Sequence, residues 1–142
     1  LMFSRNYEDR LALWSTFRET LEVSEDPIQE AIDFYKDAPT VSLNADPFDS
    51  GNWPTPWELL EWNEYCKFTR VLGVGYSLQL TDCFSEANFE IHIYTHDNEG
   101  YVFLLLVDNQ KVIGWDEDVW ISKDQLPNEL YSKQVHQLPK YQ

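Results

Sequence analysis

Apolar residues recur every three or four positions in the first half of the chain, which is typical of amphipathic helices. One such stretch predicts a helix over residues 5–22, with Ser4 as its cap. A second, shorter helix is predicted between the cap Asp26 and the terminating Pro39, with Pro27 at its first position. The apolar stripe of the first helix comprises Tyr7, Leu11, Trp14, Phe17 and Leu21.

A third helix is predicted over residues 56–72, the most aromatic part of the chain. Thr55 is its expected cap, and Glu58 stands at the position of the reciprocal capping-box acid. Gly73 is expected to end it. Its apolar face is broad, so we expect this helix to pack against a sheet.

After Gly75 the apolar period shortens from that of a helix to the two-residue alternation of β-strands. The turn residues of the segment "HDNEG" and the pair Asn109-Gln110 predict tight connections between strands. The predicted strands are YSLQLTD (76–82), FEIHIYTH (89–96), YVFLLLVD (101–108), KVIGW (111–115) and VWIS (119–122).

Helices that precede strands along the chain indicate an α+β fold. We expect three N-terminal helices packed on a four- to five-stranded antiparallel meander, within a single domain. The expected parts are a helical hairpin (1–38), a linker (39–54), a helix plus sheet (55–122) and an extended tail (123–142).

Composition excludes several function classes. The 142 residues carry a net charge of −15 with only ten Lys and Arg, so direct nucleic-acid binding is disfavoured. The apolar runs are shorter than the roughly 18 residues that cross a bilayer, so no membrane partner is expected. Cys66 and Cys83 lack a zinc-binding spacing, and His92, His96 and Glu90 provide too few ligands. We therefore expect no metal and no cofactor.

One arrangement could support covalent chemistry. Cys66 lies on the third predicted helix, His92 on a strand and Asp108 at the end of the next strand. A thiolate nucleophile needs a base within hydrogen-bonding distance and a group that orients the base. Adjacent antiparallel strands could bring His92 beside Asp108. The hypothesis is a hydrolase or acyltransferase with a Cys-His-Asp triad.

The order of these three residues resembles that of transglutaminase-like cysteine proteins. The segment "NWPTPWELLEWNEYCKFTRVLGV" is similar to their bacterial branch around the cysteine helix, and "LLLVDN" to its aspartate strand. The resemblance covers residues 52–110 and implies a transglutaminase- or papain-like core. That family places Gly-Asp before its cysteine at a helix start, whereas Glu64-Tyr65 precede Cys66 inside the predicted helix. Without activation by a helix N-terminus, Cys66 is expected to be inert and the core degenerate.

Six tryptophans are many for the core of so short a chain. Trp57 and Trp62 are five positions apart and should point to different faces of one helix. Aromatic residues without many cations favour a protein–protein interface. The expected interface residues are Trp53, Trp57, Trp62, Trp115, Trp120 and Tyr141.

A second resemblance concerns the segment "DPFDSGNWPTPWELL". It is similar to small proteins encoded in the structural gene clusters of marine contractile-tailed phages. The resemblance implies a non-catalytic subunit of the neck, tail or baseplate, made in the host cytoplasm and incorporated into the virion. Its partners would be other virion proteins in a symmetric assembly. The alternatives are the cysteine enzyme and an acidic DNA mimic that inhibits a basic host protein.

Overall fold

In the computed structural model, residues 1–96 and 100–141 are described. Within these ranges, four α-helices come first along the chain, and one five-stranded antiparallel sheet follows. The prediction of an α+β fold is therefore confirmed, with four helices in place of three.

The first two helices form close to where the sequence predicts them. Helix α1 spans Tyr7–Glu22 and is capped by Asn6, not by Ser4, because the Asn6 side chain accepts a hydrogen bond from a backbone N–H of the first turn. Helix α2 spans Pro27–Tyr35 and has the expected cap, Asp26.

The prediction of one continuous helix over residues 56–72 is wrong. The chain forms α3 (Pro56–Trp62) and α4 (Lys67–Gln79). Between them Asn63 adopts a left-handed conformation with φ of 52°. Its side-chain amide donates to the carbonyl oxygen of Phe3 at 2.8 Å, which stabilises the break.

The predicted strand 76–82 is also wrong, since α4 continues to Gln79. Every residue from Val71 to Gln79 is buried, including the polar Ser77 and Gln79. A helix that is covered on all sides needs no solvent-facing polar stripe, so its sequence lacks the helical period. The alternation of apolar and polar residues from Tyr76 to Thr81 therefore indicates a strand.

The sheet has the order β4-β3-β2-β1-β5, in which the first four strands form the expected meander. Strand β5 comes from the segment described above only as an extended tail, and it pairs with the other side of β1. The predicted turn at 97–99 lies outside the described residues. The strands are β1 (Phe89–His96), β2 (Tyr101–Val107), β3 (Lys111–Ile113), β4 (Ile121–Ser122) and β5 (Leu130–Gln137).

The two faces of the sheet bury different cores. Ile91 and Leu105 pair across β1 and β2 and belong to the main core, which they share with the helices. The adjacent pair, His92 and Leu104, lies on the opposite face because side chains alternate along a strand. A second, smaller core on that face contains Leu104, Leu106 and Val112.

Candidate functional site

Cys66 is the N-cap residue of α4, so its expected position inside a helix is wrong. The error follows from the break between α3 and α4. The Cys66 sulfur accepts a hydrogen bond from the backbone N–H of Thr69 at 3.4 Å, and the Thr69 hydroxyl accepts one from the backbone N–H of Cys66 at 2.9 Å. Only 4% of Cys66 is exposed. The thiol thus has the helix N-terminus that favours a thiolate, but solvent scarcely reaches it.

His92 does not meet Cys66. It lies on the face of the sheet that carries Leu104, whereas Cys66 belongs to the main core beneath the helices. Its two ring nitrogens lie 3.0 Å from the Tyr94 hydroxyl and 3.0 Å from a Glu90 carboxylate oxygen. The imidazole is therefore held on the wrong side of the sheet to act as a base for Cys66.

Asp108 is separated from His92 as well. The strand register places His92 opposite Leu104, whereas Asp108 follows the end of β2. Asp108 has a left-handed φ of 52°, and its carboxylate accepts a hydrogen bond from the backbone N–H of Asn88 at 2.8 Å. The expected contact between His92 and Asp108 is wrong, and the three residues of the candidate triad are not assembled.

Trp53 is part of the interior, with 5% of its surface exposed. Its indole N–H donates to the carbonyl oxygen of Pro47 at 3.1 Å. Its ring packs edge-on against Phe68 and His136, with centroids 5.3 and 5.2 Å away. The Trp53 ring therefore has its contacts within the chain, and its expected contact with a partner stays a prediction.

Trp57 and Trp62 are the most solvent-exposed tryptophans, each 41% exposed. Trp57 packs edge-on against Tyr141, which is half-buried, at a centroid distance of 5.7 Å. Because Trp53 also contacts His136 of β5, the beginning of α3 lies beside the C-terminal end of that strand. We call the surface formed by Trp57, Tyr141 and the outer side of β5 the aromatic edge.

Trp115 and Trp120 are half-buried and have partners within the chain. The Trp120 indole N–H donates to the Asp26 carboxylate at 3.0 Å, and the Lys111 ammonium lies 4.7 Å from the Trp120 ring centroid. Trp115 packs edge-on against His96 with centroids 5.5 Å apart. These two tryptophans support loops, and Trp115 also lines a cleft.

This cleft, which we call the α2–α4 cleft, lies between those two helices and the strands β2 and β3. Its volume is about 310 Å³, at the lower end of the range of small-molecule sites. Most of its wall is apolar or aromatic. That part of the wall includes Ile32, Tyr35, Val71, Val74, Tyr101, Val102, Phe103, Ile113 and Trp115.

Three of the ten basic residues of this acidic chain line the same cleft: Lys36, Lys67 and Arg70. Lys36 lies 3.6 Å from the Asp118 carboxylate, and Lys67 lies 3.8 Å from that of Glu117. Lys36 also donates to Asp33, and this hydrogen bond raises the pKa of the Lys36 ammonium.

Arg70 differs from the two lysines. One terminal N–H of its guanidinium donates to the Thr40 hydroxyl at 3.0 Å. Its Nε is buried and has no hydrogen-bond partner in the described part of the chain. A buried donor without an acceptor is unfavourable and uncommon in native proteins.

The sequence patterns do not predict the cleft. The spacing of Lys67, Arg70, Val71 and Val74 places them on one face of α4. Lys36 comes from another helix, and the opposite wall comes from the sheet. The helical spacing is the available signal, but it is complete only once the helix is known to continue past residue 72, because Val74 lies beyond the predicted helix.

The fold and the site define a small α+β protein with an exposed aromatic edge and an aromatic-lined cleft. No protein-family model matches this chain, and comparisons with curated proteins and with solved structures find no match. None of the helices in the described ranges has the length and apolar character needed to cross a bilayer. Function is therefore inferred from the chain's own residues.

Proposed function

We propose that this chain is a non-catalytic assembly subunit of a tailed-phage virion, in the neck, tail or baseplate region, and that it acts through protein contacts. The observation that carries the proposal is the aromatic edge, where the exposed Trp57 packs on Tyr141, four residues beyond the end of the border strand β5. The resemblance of residues 46–60 to phage structural proteins supports the virion as the assembly.

Strand β5 is suited to bind another chain. It is eight residues long and forms one border of the sheet, and no other strand among the described residues pairs with its outer side. A border strand presents backbone N–H and C=O groups that can pair with a partner strand. Tyr131 and Val135 on β5 are 65% and 48% exposed, so apolar side chains accompany these groups.

The net charge of −15 indicates the kind of partner surface. Copies of so acidic a chain repel one another, whereas a basic surface on another virion protein would attract it. We therefore infer that the aromatic edge meets a different virion protein, with the subunit repeated around the symmetry axis of that partner.

The lack of an assembled triad supports a non-catalytic role. Cys66 and His92 lie on opposite faces of the sheet, and Asp108 is engaged with Asn88. The N-cap position of Cys66 meets one requirement of a nucleophile, but the sulfur is buried and lacks the imidazole that the hypothesis assigns to it.

The experiment is quantitative mass spectrometry of purified phage particles. We expect a fixed copy number relative to the major capsid protein, set by the symmetry of the neck, tail or baseplate. A chain that is abundant in infected cells but absent from purified particles would contradict the proposal. Salt-sensitive binding of that chain to a basic host protein would then favour the DNA-mimic alternative.

A matched pair of variants tests the aromatic edge itself. Val135→Lys introduces a charge on the border strand, and Val23→Lys makes the same substitution at an 85% exposed position after α1. Particles should lose the Val135→Lys subunit and retain the Val23→Lys subunit. Equal incorporation of both folded variants would show that β5 is not the contact surface.

A further inference from the structure

The α2–α4 cleft combines features that neither the fold nor the proposed assembly role requires. Its lining contains three cations, Lys36, Lys67 and Arg70, and two carboxylates, Asp116 and Glu117. The cleft thus gathers three of the ten Lys and Arg of a chain whose net charge is −15. Asp33 and Asp118, which pair with Lys36, stand beside it as well.

Arg70 is the one of these three cations that has no carboxylate partner in the described ranges. In the described ranges, ion pairs within 4.0 Å involve Lys36 and Lys67, whereas none involves Arg70. A guanidinium has five N–H donors arranged to bind a carboxylate or phosphate through two parallel hydrogen bonds. Thr40 accepts from one terminal N–H of Arg70, so the other terminal N–H groups remain as donors for an anion.

The rest of the cleft suits an apolar, flat ligand body. Tyr101, Phe103 and Trp115 contribute aromatic surface, while Val71 and Val74 form the adjacent wall on α4. A volume of about 310 Å³ accommodates a ligand with one or two rings. Aromatic rings bind such bodies through stacked or edge-on contacts.

We propose that the α2–α4 cleft binds a small molecule made of a flat apolar body and one anionic group, with Arg70 binding the anion and Trp115 contacting the body. Two classes of ligand have these features, an aromatic carboxylate and an aromatic phosphate monoester. The inference is independent of the assembly role, because the cleft is lined by α2, α4, β2 and β3 and not by β5.

The first test needs no substitution. Indole-3-acetate and 2-naphthyl phosphate serve as the carboxylate and phosphate probes, and indole-3-acetamide and 2-naphthol are their neutral counterparts. Each is titrated into the whole chain by isothermal calorimetry. We expect at least one anionic probe to bind about tenfold or more tightly than its neutral counterpart, the effect of losing one charge-assisted hydrogen bond.

The two anionic probes distinguish the sources of the shared chemistry. Stronger binding of indole-3-acetate would assign a carboxylate ligand, and stronger binding of 2-naphthyl phosphate a phosphate ligand. If neither anionic probe binds with a Kd below about 1 mM, or if each neutral counterpart binds as tightly, the proposal is overturned.

The second test assigns the anion contact to Arg70. Arg70→Gln should lower the affinity for the anionic probe about tenfold and leave the affinity for the neutral probe unchanged, since only the charged hydrogen bonds are lost. Arg70→Lys should restore only part of the affinity, because an ammonium lacks the planar fork. Arg5→Gln, at an exposed position on the N-terminal segment, is the matched control and should bind like the parent chain. Equal effects of the Arg70 and Arg5 substitutions would contradict the assignment.

Discussion

Gly73 lies where helix α4 comes closest to the ring of Tyr35. A Cβ atom at this position would stand 2.8 Å from Cε1 and 3.1 Å from Cζ of that ring. Tyr35 is buried, and its hydroxyl lies 3.1 Å from that of Ser77, so the ring has little freedom to move away. The sequence pattern predicts a helix end at this glycine, but its role is to allow the close approach of the Tyr35 ring.

We expect Gly73→Ala to lower the free energy of unfolding by about 1–2 kcal/mol, because overpacking outweighs the gain in helix propensity. Gly51→Ala is the matched control, since nothing lies within 4 Å of a Cβ at that exposed position. Its effect should stay within about 0.5 kcal/mol. Urea unfolding measures both values, and equal stabilities of the two variants would refute the tight contact.

Tyr35 also predicts a dependence on alkaline pH. Burial raises the pKa of its hydroxyl from 10.0 to about 12. A raised pKa means that the folded state binds this proton more tightly, so the stabilisation is complete below pH 10 and is lost as the pH rises toward 12. The wild-type chain should therefore lose stability over this window beyond what its other groups cause.

Tyr35→Phe isolates this effect. At neutral pH we expect the variant to be less stable by about 1 kcal/mol, the usual contribution of one hydrogen bond. Between pH 10 and 12 the difference should shrink and then reverse, because phenylalanine has no proton to lose. Unfolding in urea at several pH values gives the comparison. A constant difference across the window would contradict the raised pKa.

Asn63 shows how a single residue divides an element. The continuous apolar spacing of residues 56–72 predicts one helix, but the left-handed Asn63 separates α3 from α4. The next residues are extended, and Tyr65 exchanges backbone hydrogen bonds with the segment that contains Thr40. This tertiary pairing outweighs the helical spacing, and no local signal shows where it occurs.

We expect Asn63→Ala to destabilise the chain more than Asn63→Gly. Both variants lose the hydrogen bond to Phe3, worth about 1 kcal/mol, but alanine must also adopt a left-handed conformation at a further cost of about 1 kcal/mol. Thermal or urea unfolding separates the two. An alanine variant as stable as the glycine variant would show that the left-handed break is not required.

The elements that were predicted correctly carry strong local chemistry. Asp26 and the Thr55–Glu58 capping box define helix starts through side-chain hydrogen bonds within one turn. Strand β1 also forms where the sequence alternates between apolar and polar residues, and strand β2 forms where it is apolar on both faces. The continuation of α4 through residues 76–79 could not be recognised, because the buried polar residues Ser77 and Gln79 are spaced two positions apart, as in a strand, and mark no polar face of a helix.

At the scale of the whole molecule, the order of the strands could be predicted only in part. The meander from β1 to β4 follows from short connections between neighbours in sequence. The pairing of β5 with β1 brings together residues about 40 positions apart along the chain, and the weak period of residues 130–137 does not indicate it. This pairing creates the border strand on which the proposed assembly surface depends.

The prediction that Cys66, His92 and Asp108 come together is also wrong, and the reason lies in the arrangement of the whole molecule. Its residue types and their order are correct for a cysteine enzyme, but the two faces of the sheet separate Cys66 from His92. The face of the sheet from which a side chain projects depends on whether its position is odd or even within the strand. A shift of one residue in the register moves the side chain to the other face. Chain order alone therefore could not decide whether the three side chains meet.

The central claim is that Cys66 serves as a buried helix cap and that the chain works through contacts instead of thiol chemistry. Its most direct test is iodoacetamide treatment of the folded chain at neutral pH, followed by peptide mass spectrometry. Cys83, the exposed cysteine, is the internal control. We predict that Cys83 is alkylated and that Cys66 reacts only after unfolding in urea. Rapid, selective alkylation of Cys66 in the folded chain would contradict the account.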